Sequence, residues 1–233
     1  TLPEATITFD IMLHLGTLIA VIVYFRQQLL EIKKDLIIKI VVATLPLVAA
    51  GFFLKPLVES LRGDLPTLAF TYAITAGLLL LADRLMVAEK ESKTWSLLTK
   101  LHAWVTGKHS PSVLQAFLVG IFQILAVLPG ISRSGTTIAA GVISGVPAET
   151  AFRFAFLISI PAVLGDVSLD LLDVMQAGQL SSLPWGVYLL GATVSGVVGW
   201  GALAILKWFV SQRKLWPFAI YCAFVSILLV FFA

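Results

Sequence analysis

Six long apolar stretches constrain this chain more than anything else in it. They are Phe9–Phe25, Ile37–Leu54, Thr67–Leu85, Glu149–Leu172, Gly186–Leu206 and Leu215–Phe232. A helix needs roughly 17–25 predominantly apolar residues to cross a hydrocarbon core, and each stretch meets that length. A water-soluble fold cannot hide the apolar surface of 233 residues that are 59% hydrophobic and only 12% charged. The expected class is an all-α integral membrane protein with six transmembrane helices. No linker or low-complexity tract divides the chain, so residues 1–233 read as a single membrane domain. The single cysteine, Cys222, sits in an apolar run and excludes a disulfide framework or a CxxC metal motif. A net charge of +3 reflects loop lysines and arginines, and no nucleic-acid partner is expected.

The loop charges orient the spans. Arg26, Lys33, Lys34 and Lys39 follow the first span. Arg84, Lys90, Lys93, Lys100 and Lys108 follow the third, and Lys207, Arg213 and Lys214 separate the last two. These twelve of the 16 basic residues mark the cytoplasmic side. The opposite loops hold Lys55 and Arg62, and the loop Asp173–Trp185 holds neither Lys nor Arg. A further apolar region, Ser112–Val146, must then begin and end on the cytoplasmic side. Its second arm, Thr136–Val146, makes about 16 Å of helix, half a bilayer. A re-entrant helical hairpin over 112–146 is therefore expected, with its tip near the membrane midplane. The organisation reads as a three-span half (1–86), a cytoplasmic connector (87–111) and a second half (112–233). Two triplets of opposite orientation predict an inverted-topology repeat. FDIMLHLGTLIAV (Phe9–Val21) and FRFAFLISIPAVL (Phe152–Leu164) share a leading Phe and a small eighth residue, Gly16 and Ser159. Such a repeat calls for a first hairpin upstream of Thr1.

The hairpin tip reads LPGISRSGTT, Leu128–Thr137. Pro129 and Gly130 favour a helix end there. Gly135 frees the backbone again, so Thr136 or Thr137 is expected to open the next helix. A helix N-terminus suits an anion, and the planar fork of Arg133 matches phosphate oxygens. Ser132, Ser134, Thr136 and Thr137 add hydroxyl donors. A charged arginine at membrane depth costs at least a few kcal/mol without a partner, which marks the stretch as functional by default. Two alternatives stay open: a cradle for phosphate or pyrophosphate, and a polar helix break that only packs. Thr136 stands where a P-loop needs lysine, and Ser134 breaks G-x-S-x-G, so neither of those motifs applies.

Other polar residues carry weaker signals. Gln123 lies on the entering arm, where bonding to a neighbouring helix competes with binding substrate. His14 on the first span is a proton carrier or a packed, hydrogen-bonded group. His102 and His109 fall in the cytoplasmic segment. Arg153 and Asp166 are too far apart along one helix to pair, and Arg153 can snorkel. Gly141 and Gly145 form a GxxxG pair suited to a close helix contact. Trp95–Val105 reads as an amphipathic interfacial helix.

GIFQILAVLPGISRSGTTIAAGVISGV (Gly120–Val146), LHLGTLIAVIVYFR (Leu13–Arg26), FRFAFLISIPAVLG (Phe152–Gly165) and PFAIY (Pro217–Tyr221) together resemble the bacterial undecaprenyl-pyrophosphate phosphatases of the bacitracin-resistance type. The resemblance extends over nearly the whole chain. It implies six spans plus two oppositely inserted hairpins, and a multi-pass enzyme of the bacterial inner membrane whose site faces the periplasm. It also implies hydrolysis of undecaprenyl pyrophosphate to undecaprenyl phosphate and inorganic phosphate, which recycles the lipid carrier for cell-wall synthesis. By resemblance, Arg133 contacts the pyrophosphate, and Ser132 and Thr137 line the same pocket as catalytic residues. Ser134, Gly135, Thr136, Gly130 and Gln123 complete the expected substrate-binding set. The family's glutamate-rich and serine–histidine motifs supply its divalent-cation ligands, nucleophile and base. No stretch here matches them, and Glu4 and Asp10 do not substitute. A divalent cation (Mg or Ca) is thus an expected cofactor with no ligand expected in this chain. The expected partners are a polyprenyl pyrophosphate lipid, the bilayer and a second copy of the chain. The alternative is a polyprenyl-phosphate lipid transporter or flippase that holds the same head group without cleaving it.

Overall fold

The computed structural model describes residues 4–61, 63–91, 110–176 and 185–232. Every regular element among them is helical: α1 (Glu4–Tyr24), α2 (Arg26–Leu30), α3 (Lys34–Leu61), α4 (Leu65–Glu91), α5 (Val113–Leu125), α6 (Arg133–Ile143), α7 (Ala148–Gln176), α8 (Trp185–Ser211) and α9 (Trp216–Phe232). Six of these coincide with the six apolar stretches. Lys34–Leu54, Leu65–Ala88, Ala148–Leu169 and Trp185–Ser211 are long and apolar enough to cross a membrane, while Phe9–Tyr24 and Trp216–Phe232 are shorter apolar helices. The chain is an all-α membrane protein. Pro46 and Pro56 lie inside α3 and Pro161 inside α7, as membrane helices tolerate. The short α2 has no counterpart in the sequence reading. The amphipathic stretch Trp95–Val105, His102, His109 and the loop 177–184 lie outside the described residues.

The described chain divides into two compact units. In the unit of Thr1–Ile32 and Ser159–Leu206, small residues let α1 and α8 meet backbone to backbone. A Cβ on Gly16 would stand 2.1 Å from the Ala192 carbonyl oxygen. Ser195 donates to the Leu13 carbonyl at 2.9 Å, and Phe9 and Tyr188 pack at 5.9 Å between ring centroids. Ile11 and Val167 form the core with Leu15 and Val163. His14 is exposed, and its Nδ1 donates to the Asp10 carbonyl of its own helix at 2.8 Å.

The unit of Lys33–Ile158 and Lys207–Ala233 contains the hairpin. α5 and α6 are its arms. The bed on which it rests is one apolar cluster: Ala43 from α3, Ala116 and Val119 from α5, Ala140 from α6, and Phe154 and Ile158 from α7. Gly120 brings α5 against α3 so closely that a Cβ there would lie 2.5 Å from the Ala43 carbonyl oxygen. Gly141 does the same for α6, since its Cβ would come 2.7 Å from that of Ala151. Gly145 serves differently: its φ of +82° forms the turn out of α6. Buried Lys39 on α3 pairs with Asp35 and donates to Ser110 at 3.0 Å, just ahead of the hairpin. Arg153 lies 3.9 Å from Glu149 one turn away, a half-exposed surface pair.

α9 is fastened to α4. Buried Asp83 of α4 accepts hydrogen bonds from the backbone N–H groups of Leu215 (2.6 Å) and Trp216 (3.0 Å), which opens α9. Ser226 donates to the Ala69 carbonyl at 2.7 Å, and Arg213 donates to the Met86 carbonyl at 3.0 Å. At the far end, Asp64 starts α4 by accepting the Thr67 N–H at 2.9 Å. Hydrogen bonds from the Thr67 side chain and backbone hold the Asp64 carboxyl below its ordinary pKa.

Two substitutions test this packing by thermal unfolding in detergent. Gly120→Ala should cost about 1–3 kcal/mol, because the α3 backbone must give way. Asp83→Ala should cost about 1–2 kcal/mol, because it orphans the two N–H groups that open α9. A midpoint equal to the parent's in either variant would contradict the corresponding contact.

Candidate active site at the hairpin tip

The entering arm is set by a capping box. Ser112 accepts from the Gln115 N–H at 3.2 Å, and the Gln115 side chain accepts from the Ser112 N–H at 2.8 Å. The Gln115 amide also donates to the Ser144 carbonyl at 2.9 Å, which ties the base of α5 to the end of α6. α5 ends at Leu125, four residues before Pro129, where the sequence placed its end. Ala126, Val127 and Leu128 tighten the chain by donating to carbonyls three residues back, at 3.0 to 3.1 Å.

The reversal follows. Gly130 has φ +89°, and a Cβ on it would lie 2.3 Å from the Thr71 hydroxyl oxygen, so both conformation and space require glycine. α6 then begins at Arg133 rather than at Thr136 or Thr137. The cause is Ser132: its side chain caps the helix by accepting the Gly135 N–H at 3.2 Å. Gly135 is a residue of the first helical turn, and it leaves room for the cap, with a Cβ position only 3.0 Å from the Ser132 oxygen. Arg133 thus stands as the first residue of an 11-residue helix, where its charge adds to the helix's positive end.

Two residues that the sequence reading missed hold this tip. The Thr71 hydroxyl on α4 donates to the Pro129 carbonyl at 2.7 Å. The Thr75 hydroxyl, one turn on, accepts the Ser132 N–H at 3.3 Å and donates to the Thr71 carbonyl at 3.2 Å. Both threonines are buried. The signal available was a pair of hydroxyls spaced i, i+4 on one face of a largely apolar span.

The expected site residues therefore share one turn and the neck beneath it. Gly130, Ser132, Arg133 and Ser134 are half-buried, while Gly135, Thr136 and Thr137 are buried in the hairpin. Thr137 donates to the carbonyls of Arg133 (2.9 Å) and Ser134 (3.2 Å), so its hydroxyl braces the turn that carries them. Gln123 is buried on α5, apart from the turn in sequence. From Leu128 to Thr137 the tip has one cation and no carboxylate. Guanidinium, hydroxyls and a helix N-terminus suit an anionic phosphoryl group. They do not fit a divalent cation, which takes carboxylate and carbonyl oxygens. Among the described residues, no three His, Cys, Asp or Glu side chains gather to hold a metal.

Comparison with known proteins agrees with this chemistry. A family model described as bacitracin resistance protein BacA matches residues 2–228. A protein of Trichlorobacter lovleyi named undecaprenyl-diphosphatase is 35% identical over 94% of this chain and 80% of its own length. Proteins with the same name from Syntrophotalea carbinolica and Halothermothrix orenii are 32% and 31% identical, over 93% and 97% of this chain and 80% and 83% of their own lengths. With its hairpin, its PGISRSG tip and a match across nearly its whole length, the chain belongs to the bacitracin resistance protein BacA family.

Proposed function

We propose that this chain acts in the hydrolysis of undecaprenyl diphosphate, with water cleaving the terminal phosphoric anhydride to give undecaprenyl phosphate and inorganic phosphate. The observation that carries this reading is Arg133 at the start of the Ser132-capped α6, in a chain whose relatives bear the name undecaprenyl-diphosphatase. The polyprenyl tail lies among the helices, and the diphosphate reaches the tip from a polar cavity open to the periplasm. The product serves as the recycled carrier lipid of cell-wall synthesis.

In this mechanism the Arg133 guanidinium binds the non-bridging oxygens of the transferring phosphoryl group in a bidentate fork. It stabilises the charge that gathers there and on the leaving phosphate, an electrostatic contribution fixed in place before the reaction. The Ser132 and Ser134 hydroxyls and the Gly130 backbone line the approach. Gly135 admits the cap, and Thr137 keeps Arg133 and Ser134 in register. Thr136 and Gln123 act beneath them. A divalent cation would share the neutralisation of charge, on ligands other than these residues.

The proposed setting is the bacterial inner membrane. Six spans carry the hairpin 112–146, inserted from the cytoplasmic face to mid-depth, in a first half (1–86), a connector (87–111) and a second half (112–233) related as inverted repeats. Two copies form a homodimer. A flippase would use the same arginine, but no observation favours transport over hydrolysis.

Release of inorganic phosphate from undecaprenyl diphosphate by the purified, full-length natural protein tests the assignment. Arg133→Ala should lower kcat by roughly 10²–10³-fold with the thermal midpoint retained. Near-parental turnover in a folded Arg133→Ala protein would reject the role, and head-group movement across liposomes without phosphate release would favour transport. Thr71→Val keeps side-chain shape but removes the donor to Pro129. It should lower kcat by roughly 10-fold or more through misplacement of the tip. Unchanged kcat in Thr71→Val would show that the tip holds its position without α4.

A further inference from the structure

Two side chains inside the hairpin are fully buried and have polar atoms without a hydrogen-bond partner among the described residues. They are Gln123, at both Nε2 and Oε1, and Thr136, at its hydroxyl; each is 0% exposed. The arms run antiparallel, and the Gln115–Ser144 hydrogen bond fixes their register. One turn up α5 then corresponds to one turn back along α6. Val119 and Ala140 fall at the same level, and both belong to the same apolar cluster. The next turn brings Gln123 level with Thr136. The layer below is filled by plain hydrocarbon, whereas this one carries an amide and a hydroxyl, about one turn along α6 from Arg133.

We propose that Gln123 and Thr136 together hold one buried water molecule in the neck of the hairpin, and that this polar lock positions the first turn of α6. A buried water takes about three hydrogen bonds from groups that otherwise have none. The amide N–H, the amide oxygen and the hydroxyl supply that set. Thr136 lies one turn after the Ser132 cap and donates its backbone N–H to the Ser132 carbonyl at 2.9 Å. Through it the lock fixes the cap, and with the cap the direction of Arg133. Gln123 and Thr136 are positioning residues and do not touch substrate. The inference rests on the hydrolase reading for its kinetic consequence, but not for the lock itself.

The test uses the full-length natural protein and four variants: Gln123→Leu, Thr136→Val, Thr136→Ser and the Leu/Val double variant. Thr136→Val conserves volume and removes only the hydroxyl, so it folds even if Gln123→Leu does not. Gln123→Leu and Thr136→Val should each lower kcat by about tenfold with KM within about threefold of the parent. Each single variant should lower the thermal midpoint, since it leaves the remaining member of the lock and its water short of a hydrogen bond, whereas the double variant should recover part of that loss. Thr136→Ser, which keeps the hydroxyl, should keep parental turnover. The double variant should be no slower than the slower single variant, because one shared lock can be lost only once. Equal turnover in Thr136→Val and Thr136→Ser would overturn the proposal, and so would losses that multiply in the double variant. If the parent releases no phosphate, the hydrolase reading fails by itself. Amide hydrogen exchange over residues 133–137 then decides the lock: faster exchange in Thr136→Val but not in Thr136→Ser supports it, and equal exchange in both refutes it.

Discussion

A reversal of the chain inside an apolar helix pair leaves backbone groups that no helix satisfies. In this protein α4 meets that demand. The Thr71 hydroxyl takes the Pro129 carbonyl and the Thr75 hydroxyl takes the Ser132 N–H, one on each side of the turn. A non-helical segment packed among apolar helices needs such partners. These two contacts bracket the features that distinguish the tip: the left-handed Gly130, the Ser132 cap and Arg133 as the first residue of α6.

The hairpin is held at three levels by different chemistry. At the base, Gln115 spans the two arms with a hydrogen bond. In the middle, Gly120 and Gly141 let α3 and α7 approach within backbone distance, so the contact is steric and unforgiving. At the top, hydroxyls from a neighbouring helix make directional bonds. Stiffness of this kind suits electrostatic catalysis, in which donors must already point at the developing charge. An arginine on a loose loop would have to be ordered anew at each turnover.

Much of this was legible in the sequence, for a physical reason. Span length and loop charge are set by the bilayer, so the six apolar stretches and the hairpin between basic segments could be placed by counting. The residue types of Leu128–Thr137 were equally open to reading, since few chemistries ask for arginine among hydroxyls and glycines. Helix boundaries at the tip were not. Serine is read locally as a polar residue, and its action as a cap depends on the φ and ψ it adopts, so α6 starts three or four residues before the expected position. Thr71 and Thr75 escaped notice because their task exists only once α4 lies against the hairpin, some sixty residues away in the chain. The division of the tip residues into half-buried and sealed ones is likewise a property of packing and has no sequence pattern of its own.

The order of these pieces along the chain has a consequence for biogenesis. The arms of the hairpin, 13 and 11 residues long, are too short to span a bilayer, and isolated helices of that length are marginal even in water. α5 docks on α3 and the tip is held by α4, and both of these helices are synthesised first. As chains emerge from the ribosome N-terminal end first, the threonine pair is in place before the proline and glycine that need it are made. α9, which fastens to α4 through Asp83 and Ser226, is made after the hairpin. The receptor for the tip is thus laid down ahead of the tip itself, and the helix that secures the receptor follows both.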